Sequence, residues 1–255
     1  QVPPKPKGES QSFGKLMGSL LTNRALLAIV VAALLLLLGN LFNGTVASFL
    51  WLDYFGNGQM QGVASMAAAL PPFLLVPIAA WLTKRFGKTE VGIFGVVLYV
   101  AFMLLQYVLH TTDPVVFIVI NTIAAFGIAI FNFLIWAFIV DVIDFEEVRT
   151  GVRNDGTVYG IYSWARKVGQ AASAGLGGIA LAAIGYVSDP AKVKALPGGK
   201  QAASTVEGVW MLYSLVPAVF LIGTALALLF WYPLRKKQVL ENTAILAERH
   251  AAANA

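Results

Sequence analysis

No cysteine occurs in the 255 residues, so no disulfide, thiolate metal site or cysteine nucleophile can be built, and the redox compartment is left open. Charge is scarce too: Asp, Glu, Lys and Arg make up 12% of the chain, about half of what a soluble globular domain carries. That shortage argues against a surface facing water on all sides. The only histidines, His110 and His250, lie too far apart in sequence to suggest a metal cluster. The polar leader before residue 24 lacks the apolar core and small-residue cleavage site of a secretory signal, so the first apolar run is expected to stay in the protein. No apolar run carries a nucleophile–base pair or paired metal ligands, so an enzyme is not expected. The net charge of +5 comes from short basic groups beside apolar runs rather than a basic face with interleaved aromatics, so nucleic acid is not expected as a partner either.

What is abundant is apolar: 58% of residues are hydrophobic, with a mean hydropathy of +0.74. They fall into runs at 25–50, 61–83, 91–110, 115–140, 158–186 and 208–233, each long enough for the ~20 residues that cross a hydrocarbon core. Backbone groups in lipid must be paired internally, and the runs are continuous rather than alternating, which favours helices over a barrel. The expected fold is all-α: a polytopic membrane protein whose six transmembrane helices occupy 25–235, with the lipid bilayer as its solvent. Residues 1–24, rich in Pro, Lys and Ser, read as a solvated linker between domains, and 236–255 as a C-terminal tail. A chain that opens on Gln1 further suggests a longer protein upstream.

Lysine and arginine collect on the cytoplasmic side of membranes. With the leader inside, that side holds Lys5, Lys7, Lys15, Arg24, Lys84, Arg85, Lys88, Arg149, Arg153, Arg235, Lys236, Lys237 and Arg249, against Lys192, Lys194 and Lys200 on the other. Both termini are therefore expected in the cytoplasm, in a cell membrane of the bacterial inner type. Pro71, Pro72 and Pro77 remove backbone donors from the second helix, which should bend or break; the bend serves packing or a transporter hinge. The sequon at Asn43 lies inside an apolar run and is read as chance.

The stretch 140–175 places charge where charge is costly. Asp141, Asp144 and Glu147 recur every third residue and so stay near one face of the fourth helix. Arg149 and Arg153 follow, beside Gly151 and Gly156, which suggest a short loop turning back into the fifth helix. Either these charges solvate a helix end, or they pair within the corner or with another domain. Deeper in the fifth helix, Lys167 lies ten residues past Thr157, roughly 15 Å along the axis. A cation at that depth either faces a water-filled cavity as part of a site or snorkels to the interface, and the same choice applies to Arg166. Ser163, Lys167 and Gln170 share a face, with Trp164 beside them. On the fourth helix Asn132 reaches a similar depth, about 13 Å before Asp141, so Asn132 and Trp136 either line one cavity with Lys167 or serve helix packing. Asn121 and the small residues after Gln170 read as packing.

The pattern D-x-x-D-x-x-E from Asp141, then T-G-V-R-N-D-G and a helix bearing Lys167, resembles the glycoside-pentoside-hexuronide:cation symporters, the melibiose permease-like branch of the major facilitator superfamily. TNRALLAI, just ahead of the first apolar run, is similar to the start of that family's C-terminal half. The resemblance implies helices seven to twelve of a twelve-helix fold and cation-coupled sugar or glycoside symport, driven by sodium or protons, with alternating access. It also implies that Asp141, Asp144, Glu147 and Arg153 gate the cytoplasmic side against an N-terminal six-helix half. Lys167 and Ser163 would then lie at the sugar site. Arg166 departs from the apolar residue the family has there and suits a uronate or another anionic sugar. No cofactor is implied, and the coupling cation would be bound mainly by the N-terminal half. Two other readings stay open: a lysolipid or other amphiphile transporter of the same fold, and a six-helix channel or assembly subunit.

Overall fold

A computed structural model describes residues 22–253, and among them every regular element is helical. Helix α1 (Arg24–Phe49) runs on through a π-helical turn (Leu50–Tyr54), and α2 (Met60–Phe86), α3 (Lys88–Leu109), α4 (Pro114–Thr150) and α5 (Asp155–Ala183) follow. A short α6 (Pro190–Ala195) sits in the loop to α7 (Ala203–Leu226), which continues as a second π-helical turn (Ala227–Trp231) before α8 (Lys236–Ala253). The expected linker lies almost wholly outside the described residues.

Sequence chemistry sets the helix ends. Asn23 starts α1 by accepting the Leu26 amide at 2.9 Å, and Asp113 starts α4 by accepting from Val115 and Val116, with Pro114 at the first helical position. Gly151, at φ 73°, closes α4 by donating its amide to the Glu147 carbonyl. The turn back into α5 uses that one glycine; Gly156 is already helical. Pro71, Pro72 and Pro77 do not break α2, which is helical throughout.

Five helices (α1, α2, α3, α4 and α7) are long and apolar enough to cross a membrane. The sixth expected span, α5, is long enough at 29 residues but more polar, because Arg166, Lys167, Gln170 and many small residues dilute its apolar content. The protein is a multi-pass membrane protein. Helices α1, α3, α4 and α7 form the middle of the bundle: α1 packs on α7, and α3 packs on both α4 and α7. Phe42, Trp51, Met103, Phe117, Phe138 and Trp210 are buried there. Helices α3 and α4 touch backbone to backbone where Gly95 meets Gly127, since a Cβ on Gly95 would lie 2.8 Å from the Gly127 carbonyl.

Helices α2 and α5 flank this core and are covered on one side only. Within its span α2 buries Ala64, Pro71 and Leu75 against α4, leaving Phe73 and Trp81 exposed. Helix α5 lays Val158, Tyr162, Ala165, Gly169, Ser173 and Gly177 along α1, with Gly177 accommodating the Thr45 methyl; Ala174, Gly175 and Gly178 on its other side are exposed. The small residues after Gln170 therefore split between packing and exposure. The sequon residues also pack: Asn43 donates to the Tyr213 carbonyl at 3.1 Å, in a core where Tyr213 also donates to Asn121.

The helix ends are tied differently at the two ends of the bundle. At the basic end, Arg24 donates to the Phe230 and Trp231 carbonyls, closing α7 onto α1, and Lys236 donates to the Lys84 and Arg85 carbonyls, closing α2 onto α8. At the other end Tyr54 stacks on Trp210 at 4.5 Å, and His110 lies 3.2 Å from Glu207. Tyr186 there donates to Asp53 at 2.6 Å; burial and that carboxylate hold its hydroxyl above the usual tyrosine range. Residues 236–253 form a helix docked on the end of α4, with Asn242 and Leu246 buried.

Candidate functional site

The charged corner sits where α4 ends. Helical spacing does keep Asp141, Asp144 and Glu147 close, yet they serve two different partners. Asp141 is buried and pairs with Lys88, the first residue of α3, at 2.6 Å. Arg153 gathers the other two, 2.9 Å from Asp144 and 2.8 Å from Glu147, and also reaches Asp155. Burial disfavours the guanidinium's charge, but the hydrogen bonds to Glu147 and Asp144 outweigh it and hold Arg153 above its ordinary value. Arg149 does not join this set. It pairs with Glu146, one turn earlier at 3.0 Å, and Glu146 is fully buried while also accepting from the Asn23 side chain at 2.7 Å.

One asparagine thus caps α1 and fastens it to the end of α4. Helix α8 closes the corner from outside: His250 lies 3.0 Å from Glu147, and Arg249 donates to the Glu147 and Val148 carbonyls. Bonds of this kind, to buried charged groups, are the strong ones, so the corner is one connected latch joining α1, α3, α4, α5 and α8.

The second candidate region lies midway along α4 and α5. Because α5 begins at Asp155, Lys167 is twelve residues in, about 18 Å from the helix start and close to its middle. Trp136 stacks on Tyr159 with ring centroids 6.0 Å apart and meets Tyr162 edge-on. Arg166 lies 6.0 Å from the centre of the Trp136 ring and 5.8 Å from that of Tyr162. A guanidinium over two aromatic rings is held by their quadrupoles, and Arg166 also interacts with the Tyr162 hydroxyl, which leaves part of its fork of donors for another group.

Of the six residues expected at a substrate site, Trp136 and Arg166 are thus brought into direct contact. Asn132, Lys167 and Gln170 are exposed and Ser163 half-buried, and none of the four has a hydrogen bond or ion pair among the described residues. They lie on an open face rather than inside an enclosed cavity, because α5 rests on α1 and touches α4 only lightly. The arrangement can bind an anion beside a flat apolar ring face; among the described residues no group of three acidic or histidine side chains is placed to hold a metal.

Residues 3–236 match the family described as MFS/sugar transport protein. The chain belongs to this family. It is 34% identical over 194 residues to a putative sulfoquinovose importer of Salmonella typhimurium, covering 76% of this chain and 38% of that protein. It is also 34% identical over 235 residues to a putative 2,3-dihydroxypropane-1-sulfonate exporter of the same organism, covering 90% and 47%. A glucuronide carrier protein homolog of Escherichia coli is 25% identical over 221 residues, 86% of this chain and 46% of that protein. The chain spans about half the length, or somewhat less, of the curated relatives it matches. Membership agrees with the symporter resemblance carried by the stretch from Asp141 to Lys167, and these relatives are transporters, not enzymes.

Sequence reasoning missed several residues of this MFS/sugar transport segment. Tyr162 was open to detection, since it lies four before Arg166 on one helix and aromatic–cation pairs at that spacing meet. Glu146 stands three before Arg149, which is also a readable pair. Lys88, Asn23 and His250 carry no such local signal, because their partners lie 53, 123 and 103 residues away.

Proposed function

We propose that this chain is the C-terminal half of a cation-coupled symporter, driven by sodium or protons, that carries an anionic sugar or glycoside by alternating access. In this reading the exposed face of α4 and α5 is its half of the substrate site. Arg166 and Lys167 bind the carboxylate or sulfonate, Trp136 covers the sugar ring, and Asn132, Ser163 and Gln170 bond hydroxyls. A six-helix N-terminal half, covalent or separate, closes the cavity and binds most of the coupling cation. The two halves rock about the shared site, while the Asp141–Arg153 latch gates the basic, cytoplasmic side of a bacterial inner membrane, with both termini inside.

The observation that carries the reading is the pair of adjacent cations midway along α5, one poised over two aromatic rings and the other with no carboxylate among the described residues. The relatives named for sulfoquinovose, dihydroxypropanesulfonate and glucuronide have anionic cargo in common, which supports the same chemistry here. The test is uptake of a labelled glucuronide, a sulfonated sugar and a neutral glycoside into vesicles holding the full-length protein, as wild type and as Arg166→Gln and Lys167→Gln. The expected result is loss of anionic uptake in both variants, with dependence on an imposed sodium or proton gradient; equal uptake of the neutral glycoside, untouched by either change, overturns it. Because one relative is named an exporter, inside-out vesicles decide the direction of transport.

A further inference from the structure

Far from the substrate face, the basic end of the bundle contains a half-open cavity of about 210 Å³ between the α2–α3 turn and the start of α8. Three lysines line it, Lys84, Lys88 and Lys236, one from each of the helices that meet there. Their charges are unequally satisfied. Lys88 is paired with Asp141. Lys236 gives two of its three donors to the Lys84 and Arg85 carbonyls and has no carboxylate, and the Lys84 ammonium has no partner among the described residues. The one other carboxylate beside the turn, Glu90, packs against Gly87 in the cavity wall and has no lysine partner among the described residues. Gly87, at φ 105°, makes the approach possible: a Cβ there would sit 3.1 Å from that of Lys236. The cavity therefore gathers two ammonium groups without an ion-pair partner among the described residues, Lys84 and Lys236, in a space of several water volumes, at ~30 Å³ each, which a bare ion would not fill.

Thr83 and Thr89 also line the cavity, and Leu234, Val239 and Leu240 supply an apolar side, with Leu240 exposed. On the last turns of α2, Trp81 and Phe86 meet edge-on at 6.2 Å, both exposed, as aromatic residues at a membrane–water interface are. Cations grouped beside an apolar wall at that depth match a phosphodiester with acyl chains attached better than a soluble anion, which has no use for the leucines.

We propose that this cavity is a binding site for the headgroup of an anionic phospholipid, with Lys84 and Lys236 holding the phosphate and the chains running down α2. The site joins α2, α3 and α8, so a bound lipid braces the docking of α8 against the bundle. It does not depend on which solute the protein carries.

The test uses the full-length protein in nanodiscs of equal phosphatidylglycerol and phosphatidylcholine, with co-purified lipid measured after transfer to mild detergent. Phosphatidylglycerol should be retained over phosphatidylcholine. Each lysine removed should cut that preference roughly fivefold, so Lys84→Gln lowers it, the double change with Lys236→Gln nearly abolishes it, and Lys84→Arg retains it. Lys84 is exposed and unpartnered, so its variants should unfold at the wild-type temperature, which separates lost binding from lost fold. Equal retention of the two lipids by the wild type, or an unchanged preference in the double variant, overturns the proposal. So does displacement of the lipid by millimolar inorganic phosphate, which would make the cavity a site for a free anion.

Discussion

The two charged regions of this protein handle the cost of charge in opposite ways. At the end of α4, Asp141, Asp144, Glu146 and Glu147 each have a basic partner within 3.0 Å, drawn from α3, from α4 itself, from the turn before α5 and from α8. Midway along α5, Lys167 has none among the described residues, and Arg166 has only the aromatic side chains of Trp136 and Tyr162. Paired charge is structure, completed within the chain. Unpaired charge in a membrane helix is a standing demand for something outside it, whether substrate, water or another helix. The contrast therefore separates residues whose loss should unfold the protein from residues whose loss should leave it folded and inactive.

The sharpest way to break the contrast is Glu146→Ala. It removes the fully buried carboxylate that Arg149 and the Asn23 side-chain amide share, and should cost about 2–3 kcal/mol, the lower range for breaking a buried pair because Arg149 is partly exposed and keeps a bond to Thr22. A stability drop below 1 kcal/mol, read by unfolding in detergent, would mean that the latch is not structural. Arg153→Ala should come next at about 1–2 kcal/mol. It removes a partner from three carboxylates, Asp144, Glu147 and Asp155, but Glu147 keeps His250 and the arginine side chain is 38% exposed, so part of the loss should vanish in high salt. Trp136→Ala should cost the stacking on Tyr159, the edge-on contact with Tyr162 and the contact with Arg166, about 0.5–1 kcal/mol at this exposed position. Smallest of all, Lys167→Ala should leave stability within about 0.5 kcal/mol while lowering substrate affinity or coupling in the full-length transporter. If Lys167→Ala destabilised as much as Glu146→Ala, the two regions would not differ in kind.

How much of this was legible in advance follows from the range of each interaction. Helices α1 to α4 and α7 declare themselves through continuous apolar runs, and α5 through length despite its polarity. Asp141, Asp144 and Glu147 were legible as one helical face because i, i+3 geometry is local, and Gly151 as a turn because glycine adopts φ 73° without strain. The basic residues Arg24, those of the Lys84–Lys88 turn and Lys236 were legible as one end of the bundle, and the bonds of Arg24 and Lys236 to carbonyls of neighbouring helices, with the Lys88–Asp141 pair, do gather them there. The division of the acidic face between Lys88 and Arg153 was not legible, nor was the role of Glu146.

By itself the sequence determined the class of molecule and the chemistry available to it: membrane helices, a basic end, an acidic helix end and two cations deep in α5. These follow from hydropathy, from periodicity and from the absence of cysteine, which are properties of short stretches. The tertiary structure alone decided which charges cancel and which remain. Lys88 reaches Asp141, Asn23 reaches Glu146 and His250 reaches Glu147 because the packing of α1, α3 and α8 around α4 brings distant segments within 3.0 Å. The same packing seats α5 on α1 rather than α4, and so leaves Lys167 facing outward with its charge unmet.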